Sequence, residues 1–195
     1  MDPFKIFPKV ETALRPDCIK EKGVLLLHGG EDISPAIYGE KCNQYCYKHD
    51  ISKRDQEEMD LIERAMKWEM PIIGICRGAQ LLCAMDGGTL IQHVAGHNTG
   101  SHELTDTRTG EIYISNSCHH QVMQPNKYNE VIAVNKRTVD AYDEESQRFD
   151  LDETPEIVYF PHLNAIGIQG HPEWLPNSAF QEYCTKLIQE FLLKE

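Results

Sequence analysis

The chain has 195 residues with 41% apolar and 26% charged residues, the make-up of one globular domain with a full-sized core. Its net charge of −12, with no Lys/Arg cluster, excludes nucleic acid or an anionic membrane surface as the expected partner, and no apolar run approaches the ~20 residues of a bilayer span. Seven cysteines, an odd number, behind an opening without a charged-then-apolar leader lead us to expect reduced thiols and a cytoplasmic setting.

Residues 1–22 scatter Phe4, Ile6 and Val10 among Pro3, Pro8 and Pro16, which break any long element. Val24 to His28 then reads as a buried strand ended by the tight turn that Gly29-Gly30 allows. A polar loop follows, holding Cys42, Cys46 and His49. Their spacing fits no standard zinc pattern, so a solvent-facing loop with incidental thiols is expected there. Ser52-Lys53-Arg54-Asp55 has the form of a helix start, and Met59, Ile62, Ala65 and Met66 continue at helical spacing, predicting a helix over about 53–69.

Pro71-Ile72-Ile73 predicts a second buried strand, and Leu81 to Met85 an apolar helix. Between them lies Gly74-Ile75-Cys76-Arg77-Gly78-Ala79-Gln80. Cys76 therefore sits where a strand turns sharply into a helix, with glycines two residues to either side to relieve crowding. This is the logic of a nucleophile elbow, and the helix N-terminus is expected to favour thiolate. A buried structural Cys is the competing explanation at this point in the chain. The order strand, helix, strand, helix from 24 to 86 predicts a parallel α/β sheet.

The stretch 93–121 carries His93, His97, His102, His119 and His120 in Gly/Asn/Ser-rich sequence. Off a helix face and without an accompanying carboxylate pattern, these predict loop and pocket roles rather than a metal site. Strand alternation recurs at 111–115, 131–134 and 139–142, and the acidic run 143–156 reads as a solvated loop. Residues 156–160 and 165–169 read as a hairpin turning near Leu163-Asn164. After it comes Gly170-His171-Pro172-Glu173-Trp174, where an extended backbone held by Pro172 is expected to put His171 and Glu173 on one side as base and orienter. A capping box at Ser178 and Gln181 starts a last helix, whose stripe from Phe180 to Leu192 is expected to pack on the sheet.

Taken together, these motifs resemble the class I glutamine amidotransferases, and most of all their branch of gamma-glutamyl-gamma-aminobutyrate hydrolase-like cysteine hydrolases. The matching stretches are 29–35 with Tyr38-Gly39-Glu40, Arg54-Asp55, 74–80, 87–92, Asn116-Ser117-Cys118-His119-His120-Gln121 and 167–174. The resemblance implies a flavodoxin-like α/β fold with a mostly parallel sheet flanked by helices, formed by a single domain over 1–195. It implies Cys76 as nucleophile, His171 as general base and acid, and Glu173 as its orienter. The main-chain N–H groups of Gly30 and Arg77 would form an oxyanion hole, while Gln80, His119, His120 and Gln121 would hold the glutamyl part. No cofactor or metal is implied.

The chain departs from the family in residues 1–22, where three Pro and no helical stripe lead us to expect the usual opening strand-and-helix unit to be absent, shortened or irregular. His28 also stands where many relatives carry Pro. Three functions follow: a free-standing hydrolase of γ-glutamyl amides, a glutaminase subunit feeding ammonia to a synthetase or ligase partner, or a silent binding module on the same fold. The expected partner is a small γ-glutamyl compound, with room for that synthetase and for a homodimer.

Overall fold

The computed structural model describes residues 23–98 and 100–193; the irregular opening expected at 1–22 lies outside them. Within these residues the first half runs β1 (Leu25–Leu27), α1 (Lys53–Lys67), β2 (Ile72–Ile75), α2 (Arg77–Met85), β3 (Thr89–Ile91), β4 (His93–Val94) and β5 (Ser101–Asp106). The second half runs β6 (Ile112–Asn116), β7 (Val122–Gln124), β8 (Glu130–Asn135), β9 (Val139–Tyr142), β10 (Arg148–Leu151), β11 (Thr154–Phe160), β12 (Ala165–Ile168) and α3 (Ala179–Leu192). The main sheet has the order β1-β2-β12-β11-β8-β5-β6.

Strand periodicity builds the layers. In β2, Ile72 faces the same core as Leu25, Leu27 and the apolar sides of α1 and α2. Ile73 and Ile75 point the other way, into a core shared with Phe180, Leu187 and Ile188 of α3. The sheet is thus covered on both faces, and Leu187→Ala would cost roughly 2–5 kcal/mol. The expected α/β architecture holds. Parallel pairing is concentrated in β1, β2 and β12, with Leu27, Gly74 and Gly167 side by side. The strands beyond β12 pair antiparallel. Because the three parallel strands end together, their carboxyl ends form one rim, where open α/β sheets place their chemistry.

Several local expectations hold. Ser52 and Asp55 make a reciprocal capping box at the start of α1. The 156–169 segment is a hairpin with left-handed Asn164 at its turn. At α3, Ser178 accepts from the Gln181 amide as expected, but the Gln181 side chain reaches back to the Asn177 amide rather than to Ser178.

Other expectations are corrected. The loop assigned around His102 contains β5, a polar strand stabilised by pairing with β6 and β8. The acidic run is not one loop: Arg148–Leu151 pairs with β9, and β11 already begins at Thr154. The loop thiols are not all reduced either. Cys42 and Cys46, brought to 5.3 Å between Cα atoms by the turn between them, form a disulfide. Of the described helices, none is long and apolar enough to cross a membrane.

Candidate active site

At the end of β2 the chain turns through Cys76, whose φ of 51° and ψ of −108° lie where a side chain is strained, by about 1–3 kcal/mol. Tight packing holds the turn. A methyl group built on Gly74 would lie 2.6 Å from the Gly78 backbone, and one on Gly78 would lie 2.6 Å from the Leu27 carbonyl oxygen. The Cys76 N–H donates to the Ile168 carbonyl at 2.7 Å, fixing the elbow to β12.

Burial pushes the Cys76 thiol up to about 12; the Arg77 main-chain N–H opposes this, while Cys118, Glu173 and Asp32 add to it. This corrects the expectation of a resting thiolate, because desolvation of the sulfur outweighs the amides at the helix start. The site therefore holds a protonated thiol.

His171 stands three residues past β12. The backbone after it is not extended, as the sequence suggested, but a 3-10 turn over Pro172–Trp174, for which the fixed φ of Pro172 is suited. The turn still brings His171 Nδ1 to 2.7 Å from Glu173 Oε1. Trp174 stacks on the imidazole, with centroids 3.8 Å apart and planes 7° apart. Asn116 grips the His171 main chain on both sides: its Oδ1 accepts from the N–H at 2.8 Å and its Nδ2 donates to the carbonyl at 3.0 Å. With Nδ1 held by the carboxylate, Nε2 is the nitrogen left for chemistry. A methyl group on Gly29 would sit 3.4 Å from Cys76 Cβ, 3.5 Å from His171 Nε2 and 2.7 Å from its Cε1. Cys76, His171 and the Gly29 backbone therefore meet at one point on the rim, and any side chain at 29 would intrude there.

The Gly-Gly turn is held from α1. Arg54 Nη2 donates to the carbonyls of His28 and Gly29, both at 3.1 Å, and Arg54 Nε pairs with Glu58 at 2.8 Å. In a trans peptide the C=O and N–H point opposite ways, so this grip turns the Gly30 N–H away from the guanidinium. The Arg77 side chain is buried and pairs with Asp55 and Glu58, leaving its main-chain N–H beside the Cys76 sulfur. Sequence reasoning missed the positioning roles of Arg54, Asp55, Glu58 and Asn116, although each except Glu58 lies in a motif stretch.

The remaining expected residues divide. Gln169 Nε2 donates to Cys76 Sγ at 3.7 Å, and Gln80 Nε2 reaches Gln169 Oε1 at 3.3 Å and the Gln121 carbonyl at 3.4 Å. Both polar atoms of the Gln121 side chain are buried with no partner among the described residues. His120 pairs with Asp32 through Nε2 at 3.0 Å and meets His93 through Nδ1 at 3.2 Å. His119 is turned elsewhere: its Nδ1 bonds the Gln121 carbonyl at 3.0 Å, and its Nε2 faces His97 at 3.4 Å and Glu156 at 3.9 Å.

A thiol at an elbow beside a carboxylate-held imidazole is an arrangement suited to acyl transfer, and comparison with known proteins gives the family. A protein named "Putative glutamine amidotransferase" from Schizosaccharomyces pombe is 28% identical over 97% of this chain and 75% of its own length. The carbamoyl phosphate synthase small chain of Aquifex aeolicus is 31% identical over 60% of this chain but only 28% of its own length. A Thermoplasma acidophilum structure titled "putative gmp synthase subunit a protein" shares the fold, with a TM-score of 0.50 at 15% identity over 87% of this chain and 70% of that one. The Peptidase C26 model matches residues 3–173, and with most of the chain covered, the elbow and its imidazole belong to a member of the peptidase C26 family, a glutamine amidotransferase-like amide hydrolase.

Proposed function

We propose that the chain is a cysteine-dependent hydrolase of γ-glutamyl amides, acting through Cys76, His171 and Glu173. The observation that carries this is the imidazole of His171, fixed by Glu173 and Trp174 and meeting the Cys76 elbow at Gly29. His171 Nε2 takes the thiol proton as sulfur attacks the side-chain amide carbon. The carbonyl oxygen becomes an oxyanion, held by the N–H groups of Gly30 and Arg77. The same proton passes from His171 to the departing amine as the C–N bond breaks, leaving a thioester. Water, deprotonated by His171, then releases γ-carboxylate and thiol. Glu173 holds the Nδ1–H and stabilises the imidazolium formed in each half-reaction. Gln121, with its unpartnered amide, together with Gln80 and His120, lines the glutamyl side.

The test is product release from glutamine and a panel of γ-glutamyl-amines with the purified chain alone. We expect cleavage without a partner, faster for some γ-glutamyl-amine than for glutamine, because a site open on the leaving-group side gains binding energy from a larger amine. Cys76→Ala and His171→Asn should each lose about 10⁴–10⁶-fold in kcat, and Glu173→Gln roughly 10²–10⁴-fold. Full turnover by Cys76→Ala would sink the mechanism. The similarity to a carbamoyl phosphate synthase small chain favours a second reading, a glutaminase subunit passing ammonia to a synthetase. Inactivity alone, reversed by a co-purifying synthetase, would select it.

A further inference from the structure

Beyond the thiol site the fold gathers four side chains that the amide chemistry does not use. His97 comes from the turn after β4, His102 from β5, His119 from the loop before β7 and Glu156 from β11. Each offers a donor atom, and these donors all lie within 4.8 Å of one another. His97 Nδ1 is 3.4 Å from His119 Nε2 and 3.8 Å from Glu156 Oε1, and His102 Nε2 is 3.3 Å from the same oxygen. Zinc bonds of about 2.0–2.1 Å in a tetrahedron put donors about 3.3 Å apart, so the cluster has the size of one coordination sphere.

Its polar atoms also lack the partners that burial demands. Glu156 is 1% exposed, yet among the described residues its Oε2 has no hydrogen bond, and His102 Nε2 has only its ion-pair contact with Oε1. A buried carboxylate oxygen left bare costs about 1–3 kcal/mol or more. The surrounding contacts orient the donors inward. The Nδ1–H of His119 is committed to the Gln121 carbonyl, so the lone pair of Nε2 points into the cluster. Thr154 donates to Glu156 Oε1 at 3.1 Å. Outer hydrogen bonds of this kind fix ligand rings and carboxylates around metals.

We propose that His97, His102, His119 and Glu156 bind one divalent first-row transition-metal ion, with zinc the best match to three imidazoles and a carboxylate. The ion is structural. It ties β5 to β11 and pins the 119–121 main chain, whose Gln121 carbonyl receives Gln80. It takes no part in thiol chemistry. The sequence hid the site because its ligands come from four separate segments with no motif spacing.

The test strips the purified full chain of metal by dialysis against a chelator and then titrates zinc chloride alone. One equivalent of zinc per chain should bind, survive gel filtration and raise Tm. Cobalt(II) in its place should give the intense visible bands of a four-coordinate ion. Glu156→Gln and His102→Gln should each weaken zinc binding by at least about tenfold, while His93→Asn, whose contacts are with His120, Tyr45 and Tyr142 and with none of the four ligands, keeps the equivalent. X-ray absorption on the unmutated zinc-loaded protein should show nitrogen and oxygen neighbours with imidazole scattering, and this stands even if the variants fail to fold. Absence of retained zinc, sulfur or six-oxygen ligation, or undiminished binding in both ligand variants would overturn the proposal.

Discussion

Cys76 and Cys118 invert the usual relation between role and reactivity. Both thiols are free, but Cys76 is buried and its proton is held tightly, whereas Cys118 is exposed. A small neutral alkylator needs access and thiolate, and at neutral pH the resting Cys76 thiol has little of either. Iodoacetamide at limiting dose and pH 7 should therefore label Cys118 before Cys76. Peptide mapping by mass spectrometry reads the order, and prior labelling of Cys76 would show that the elbow, not burial, governs the resting thiol. The identities at the candidate site were legible because elbow spacing and His-Pro-Glu are local patterns. The protonation state was not, since desolvation is summed over atoms from distant segments. The ring contacts of His119 were hidden for the same reason: its partners lie 22 and 37 residues away in sequence, at His97 and Glu156.

Among the elements, α1 does more than cover the sheet. Through Arg54 it holds the Gly29 carbonyl, and through Asp55 and Glu58 it balances the buried Arg77. Arg54→Ala should lower kcat by about 10- to 100-fold with KM little changed, because the Gly30 N–H loses its aim while ground-state contacts remain. Steady-state kinetics on a γ-glutamyl-amine would read the split, and a loss in KM alone would contradict it. On the opposite face, Asp106 ties β5 to α3 through the Tyr183 hydroxyl at 2.7 Å and through Arg108, which also reaches Glu190. Burial alone would push this carboxyl up, but the Tyr183 and Arg108 hydrogen bonds and the amides of Arg108 and Thr109 hold it below its usual 3.8. A depressed carboxyl contributes stability that is present above about pH 4 and lost as pH falls through its folded value. Urea midpoints measured down that range should fall for the parent and less steeply for Asp106→Asn. Helices and central strands were readable from their periods. β5 and β10 were not, because their polar sequences become strands only through the neighbours they pair with.

At the scale of the molecule, the sheet is two constructions joined at β12. One side is the parallel set β1, β2 and β12; the other is antiparallel, from β11 outward to β6. The parallel β1–β2 pair was foreseeable from strand-helix alternation, while the parallel place of β12 beside β2 and the extent of the antiparallel side follow from long-range pairing that no local window contains. Cys76 lies at β2's end and His171 beyond β12, so the thiol and the imidazole share a rim only once Gly167 aligns with Gly74. Refolding from urea should therefore recover helix signal before turnover, with activity returning in step with Trp174 fluorescence, read in a Trp68→Phe variant. Simultaneous recovery of all three would show that the β2–β12 pairing is not the late event.

That alignment also orders events during synthesis. β1, α1, β2 and α2 emerge first and can fold locally, whereas β12 arrives some 90 residues later and must find its place by a long loop closure. A growing chain thus displays the Cys76 elbow before His171 is placed beside it. On the proposed mechanism, amide cleavage should appear only once β12 has joined β2, so chains stopped before it should show none.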